Sequence, residues 1–291
     1  MMTEARPGSR TYLVGVPEPE QFEAVSCWLS RLALQQGVDL SELADALQLN
    51  LRDDIDRTYV GKALASLRLV CGLNPTTFSV AEQIMTSLQL VGESAGSFLA
   101  LKGNQPRFRY CVACLRESTL PTLPIHWRFV AWRWCPLHDC ILEEQCCHCQ
   151  APIVMPRDLA GKGRTAQRVA FLSRCMECAR SLTTPEPCWV ESKGRRLLTP
   201  WEEDLIRNGR ALLASLNTRS FRVQGGPLEH DLARLEELRR TGVFAKRMEW
   251  MPISAFRKRS FKKAALTPIG STSRGLVAAS SVKPEPSGPA P

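Results

Sequence analysis

Eight residues with metal-ligand chemistry recur in pairs along the middle of the chain. Cys111-x-x-Cys114, Cys135-x-x-His138, Cys146-x-x-Cys149 and Cys175-x-x-Cys178 each set two donors across a two-residue gap. That gap lets both side chains of a pair face one ion, with backbone N–H groups free to bond the thiolates. Two such knuckles give four soft donors in a tetrahedron, the arrangement of structural zinc sites. Taken with its sequence neighbour, each knuckle falls into one of two sets. Cys111, Cys114, Cys135 and His138 form the first, and Cys146, Cys149, Cys175 and Cys178 the second. The linking stretches of 20 and 25 residues also allow a cross-braced order, joining the first knuckle to the third and the second to the fourth. Either way each ion meets four protein ligands, most of them thiolates, with no open position for a hydrolytic water. Zn2+ in two structural sites is expected, and no catalytic metal. Cys147 and His148 lie inside the third knuckle, but only Cys146 stands at the right gap from Cys149. Cys27 and Cys71 fall on apolar helix faces, while Cys140 and Cys188 have no partner at knuckle spacing and receive no role.

Other chemistries find little support. The chain holds no Walker loop, no His-Glu-x-x-His and no nucleophile elbow, so no enzyme is expected. Asp53, Asp54 and Asp56 cluster, yet no further carboxylates gather around them to make a nuclease site. With 291 residues, 44% hydrophobic and 23% charged, the chain can bury a core and is not disordered throughout. No apolar run approaches the ~20 residues of a membrane span, and Met1 to Arg10 carries no apolar stretch of a secretory leader. A reducing cytoplasm is expected, where spaced cysteines bind metal rather than form disulfides.

The elements that must position the knuckles are mainly helical. Residues 1–105 read as an N-terminal helical domain resembling a helix-turn-helix. Helices are expected over Val25 to Gln36, from Leu40 to Leu47 behind an Asp39–Glu42 capping box, from Tyr59 to Cys71, and from a Ser79–Glu82 box to Leu90. Residues 106–190 form a double zinc-finger region without long helical periodicity. Residues 191–266 form a basic helical region with helices opening at Thr199 and over Leu228 to Arg240, and 267–291 a Ser-, Gly- and Pro-rich disordered tail.

The formal charge of +9 is uneven along these parts: residues 1–105 carry net −4, 106–190 net +4 and 191–291 net +9. Basic surfaces attract polyanions, nucleic acid above all. Lys246, Arg247, Arg257, Lys258, Arg259, Lys262 and Lys263 are interleaved with Trp250, Phe256 and Phe261. They are the leading candidates for phosphate contacts, which would make binding steeply salt-dependent. Arg128 and Arg133, between the tryptophans of Trp127 to Trp134, are further candidates, while the Trp rings themselves read as core for the small fingers. In a helix-turn-helix, Arg57, Lys62 and Arg68 would face DNA. The net acidity and the Asp53–Asp56 cluster favour a helical bundle that contacts a basic protein instead.

The run His126-Trp127-Arg128-x-x-x-Trp132, then Cys135-Pro136-x-His138, Leu142 and the Cys146–Cys149 knuckle, resembles the signature of the TniQ family. Cys111-x-x-Cys114-Leu115 fits the family's first knuckle, and Val25 to Ala33 its opening Ser-Trp-Leu-x-Arg-Leu helix. Val112, Cys147 and Gln150 stand where Pro, Pro and Gly are more usual. The resemblance covers about residues 11–190 and implies a helix-turn-helix with two zinc fingers. It implies a bacterial transposition protein, cytoplasmic and nucleoid-associated, that sits at a target through DNA or a CRISPR effector complex. Such a protein recruits an AAA+ ATPase of the TnsC or TniB kind, and some members act as homodimers. A zinc-containing helix-turn-helix transcriptional regulator is the alternative reading.

Overall fold

A computed structural model describes residues 13–159, 172–192, 194–223, 228–241 and 253. Helix α1 spans Val25–Gln36 and ends at Gly37, whose φ of 70° makes the left-handed cap. Helix α2, Leu40–Leu47, opens as expected, with the Glu42 carboxylate accepting from the Asp39 N–H at 3.1 Å. The helix expected over Tyr59 to Cys71 begins later, as α4 at Lys62–Val70, and a short α3 at Ile55–Thr58, outside the expected span, precedes it. Gly61, with φ 57°, turns the chain between them. Helix α5, Ser79–Gln89, starts behind Phe78 at φ 63°, so the Ser79–Glu82 box does not form. Phe78 packs edge-on against Trp28 with centroids 5.4 Å apart. Glu82 accepts instead from the Gly61 N–H at 2.9 Å and from Arg68 at 2.6 Å, which pins α4 to α5.

Short strands then alternate with the knuckles. Strands β1 (Leu101–Lys102) and β2 (Gln105–Phe108) form a hairpin, and α6 (Val112–Glu117) begins at the first knuckle. Strands β3 (Trp134–Cys135) and β4 (Cys140–Ile141) flank the second knuckle, and β5 (Ile153–Val154) returns to pair with β2. Strand β6 (Cys188–Trp189) joins β4, and β7 (Glu191–Ser192) pairs with β8 (Arg195–Arg196). Helix α7, Pro200–Thr218, carries the expected Thr199–Glu202 capping box with Pro200 in the first turn. The helix expected over Leu228 to Arg240 is only partly present. Strand β9 (Ser220–Arg222) pairs with β10 (Glu229–Asp231), leaving a 3-10 turn and a short α8, Leu235–Arg240. Once β9 is beside it, the chain at 229–231 gains ladder bonds that a solvent-exposed first helical turn would lack. Among the described residues the fold is mainly helical with four small sheets. No helix there is long and apolar enough to cross a membrane.

One core cluster runs from the helices into the finger region and on to α7. Trp28, Leu29, Leu32, Ile55 and Leu64 pack with Phe108, Tyr110, Ile125, Trp127 and Phe129, and with Leu212 and Leu216. A smaller cluster gathers Ile141, Cys188, Val190, Leu197, Leu198, Leu205 and Ile206 beneath Trp134. Of the tryptophans expected as core, Trp127 is buried in the larger cluster, while Trp132 and Trp134 are half-buried and pack against the two clusters. Helix α7 is docked by Gly209, where an added Cβ would stand 2.4 Å from the Ala131 carbonyl oxygen. Gly209→Ala is therefore expected to cost about 1–3 kcal/mol through overpacking, although alanine is the better helix former by about 1 kcal/mol. The urea unfolding midpoint checks this, and an unchanged or raised midpoint would contradict the close approach.

Candidate metal centres and the buried network that holds them

Neighbouring knuckles come together, and the cross-braced order is not the one adopted. In site one Cys111 ends the approach to α6, and its sulfur accepts from the Cys114 N–H at 3.4 Å. The β3–β4 hairpin brings the other two donors: Cys135 closes β3 and His138 lies in the loop. The Cys114 sulfur is 3.6 Å from that of Cys135 and 3.2 Å from His138 Nδ1. His138 Nδ1 is also 3.6 Å from the sulfurs of Cys111 and Cys135. Four sulfurs bound 2.3 Å from one ion would stand about 3.8 Å apart, so these donors are at ligand spacing. His138 presents Nδ1 inward because its Nε2 lies 2.8 Å from the Glu117 carboxylate, the outer-shell partner that fixes tautomer and ring orientation in many metal sites. A hydrogen bond with Cys114 lowers the Cys111 thiol from its ordinary value.

Site two gathers Cys146, Cys149, Cys175 and Cys178, with all four sulfurs within 4.8 Å of one another. The Cys146 and Cys178 sulfurs are 3.8 Å apart, and those of Cys149 and Cys175 3.6 Å. Its knuckles close through left-handed residues, Gln150 at φ 63° and Ala179 at φ 57°. Side chains at such φ cost about 1–2 kcal/mol, which is the physical reason a glycine suits the position that Gln150 occupies. His148 turns away, with Nε2 3.1 Å from the Ser181 carbonyl oxygen. The donor chemistry of both sites fits a closed, thiolate-rich structural ion. Cys27 and Cys71 are buried in the core. Burial raises the thiol of Cys71 to about 11.

The arginines next to the knuckles do different work from that expected of them. Arg128 is wholly buried. Its guanidinium bonds Asp54 at 2.9 and 2.5 Å and Asp56 at 2.8 Å. Asp56 in turn accepts from the backbone N–H and the hydroxyl of Ser26, both at 2.8 Å. One side chain from the finger region therefore ties α1 to α3. Arg133 is 5% exposed and, with Arg109, bonds the Glu144 carboxylate, each at 3.0 Å. Neither Arg128 nor Arg133 reaches a phosphate from these positions. Their place between Trp, Phe and Val was the available signal for burial. The acidic cluster is likewise dispersed: Asp54 and Asp56 are buried and only Asp53 is exposed, bonded to Asn50 at 3.0 Å. Arg68 is buried against Glu82, so it cannot face DNA, while Lys62 stays exposed. Lys246, Arg247, Arg257, Lys258, Arg259, Lys262 and Lys263 lie outside the described residues.

The TniQ family model matches residues 14–142, from the segment before α1 through the second knuckle and β4. No curated protein matches the chain.

Proposed function

We propose, from the match of residues 14–142 to the TniQ family model and that family's association with transposition, that the chain is a zinc-stabilised, non-enzymatic adaptor for target selection. It links a target site, or a complex that recognises one, to an AAA+ ATPase of the TnsC or TniB kind. The observation that carries the reading is a TniQ match over residues 14–142 that contains one cluster of four protein donors and is followed at once by a second. Bound zinc supplies cross-linking there, not a reactive water. The exposed face of α4 supports protein contact more than base readout. It offers Lys62, Ala63, Ala65, Ser66, Leu69 and Val70, a single cation among small and apolar side chains. DNA contact in this reading falls to the basic stretch from Lys246 to Lys263, and the protein works in the bacterial cytoplasm at the nucleoid. A CRISPR effector complex or a second copy of the chain are the other partners it allows.

The test is co-elution of the full chain with the AAA+ ATPase encoded beside it, with and without target DNA. Association in at least one condition is expected, and no association in either overturns the adaptor reading. A transcriptional regulator would instead bind a promoter sequence specifically without the ATPase, so a footprint there would favour that alternative.

A further inference from the structure

A further thiol, Cys140, lies beside the four donors of site one. Cys140 faces Cys135 directly across the β3–β4 ladder. It is 1% exposed, and its sulfur lies 3.5 Å from that of Cys111. Cys140 therefore stands near ligand spacing from one thiolate of the site, Cys111, and pairs across the ladder with a second, Cys135. His138 is the one donor of the four that is not a thiolate. It belongs to the hairpin loop rather than to a strand, and its outer partner Glu117 is 67% exposed. Zinc accepts imidazole and thiolate alike, whereas softer ions select thiolate.

We propose that Cys111, Cys114, Cys135 and Cys140 form a second ligand set at site one, which takes soft divalent ions with His138 displaced. On binding, Cys140 loses its proton to solvent and the imidazole leaves the ion while keeping its hydrogen bond to Glu117. The two ligand sets share three thiolates, so the exchange needs only a shift of the ion within the hairpin. This inference rests on the reading that site one holds a metal at all.

The experiment is 113Cd NMR of the full chain after cadmium has replaced zinc. Cadmium on four sulfurs resonates downfield of cadmium on three sulfurs and one nitrogen, and site two supplies the four-sulfur reference in the same spectrum. Two four-sulfur resonances are expected from the unaltered chain. Cys140→Ala should move one of them to the position for three sulfurs and a nitrogen, while His138→Ala leaves both in place. The zinc-loaded Cys140→Ala protein should keep two metal equivalents, which shows that it folds. One four-sulfur and one mixed resonance from the unaltered chain, or a spectrum indifferent to Cys140→Ala, overturns the second ligand set. A single resonance from site two, with one zinc equivalent in the unaltered chain, overturns the metal reading of site one together with it.

Discussion

Arg128→Ala is expected to lower the stability of the protein by about 3–5 kcal/mol, a cost typical of removing one partner from a buried ion pair. The reason lies in what remains. Asp54 and Asp56 would be left in the core without the guanidinium that neutralises both of them. Burial already raises the Asp56 carboxyl above its ordinary value, with Arg128 opposing that rise. Without Arg128 only the two Ser26 hydrogen bonds still oppose the rise. A carboxyl whose folded pKa lies above its unfolded one penalises the folded state at high pH, and the penalty fades as pH falls through the folded value. The deficit of Arg128→Ala relative to the unaltered chain should therefore shrink as the pH is lowered from 7 toward about 5. Urea unfolding at both pH values, with zinc present, measures it. Changing Asp54 and Asp56 to asparagine in the same variant should recover part of the loss at pH 7. Arg219→Ala serves as the contrast: its exposed side chain should cost within about 0.5 kcal/mol. A loss that small for Arg128→Ala would show that its pairs hold nothing together.

Replacing both cysteines of the first knuckle, Cys111→Ser with Cys114→Ser, should release one of two zinc equivalents and unfold the region around α6 and the β3–β4 hairpin. The double change leaves only Cys135, His138 and Cys140, too few to complete a tetrahedron. Structural zinc contributes about 10–16 kcal/mol of binding energy that is also folding energy, against a total stability of about 5–15 kcal/mol for ordinary domains. Because Cys111 and Cys135 belong to the same core cluster as Trp127 and Phe129, the damage should spread beyond the knuckle. Metal analysis together with limited proteolysis reads both effects. A variant that kept both zinc equivalents and the protease resistance of the unaltered chain would refute site one.

The donors were legible in the sequence because a knuckle is a local device. Two residues between ligands fix the bite of a pair, whatever the rest of the chain does. The same holds for α1 and α7, whose apolar spacing, Gly37 stop and Thr199–Glu202 box are all contained within a few residues. The failures were of another kind. Ser79 and Glu82 have the right spacing for a capping box, but Glu82 finds better partners in Gly61 and Arg68 on another helix. The residues after Leu228 look helical until β9 offers them a ladder. Cys140 had no partner at knuckle spacing, since its neighbours are reached across a hairpin.

Charge shows the division most clearly. The sequence by itself determined that four knuckles exist, which residue types would hold a soft ion, and that the opening segment is helical. It could not decide whether a cation among aromatic residues faces water or the core. Only the tertiary structure did so, by setting Asp54 and Asp56 of α3 and the approach to it 2.5–2.9 Å from Arg128. A guanidinium leaves water when two carboxylates meet it, and those carboxylates lie more than seventy residues away along the chain.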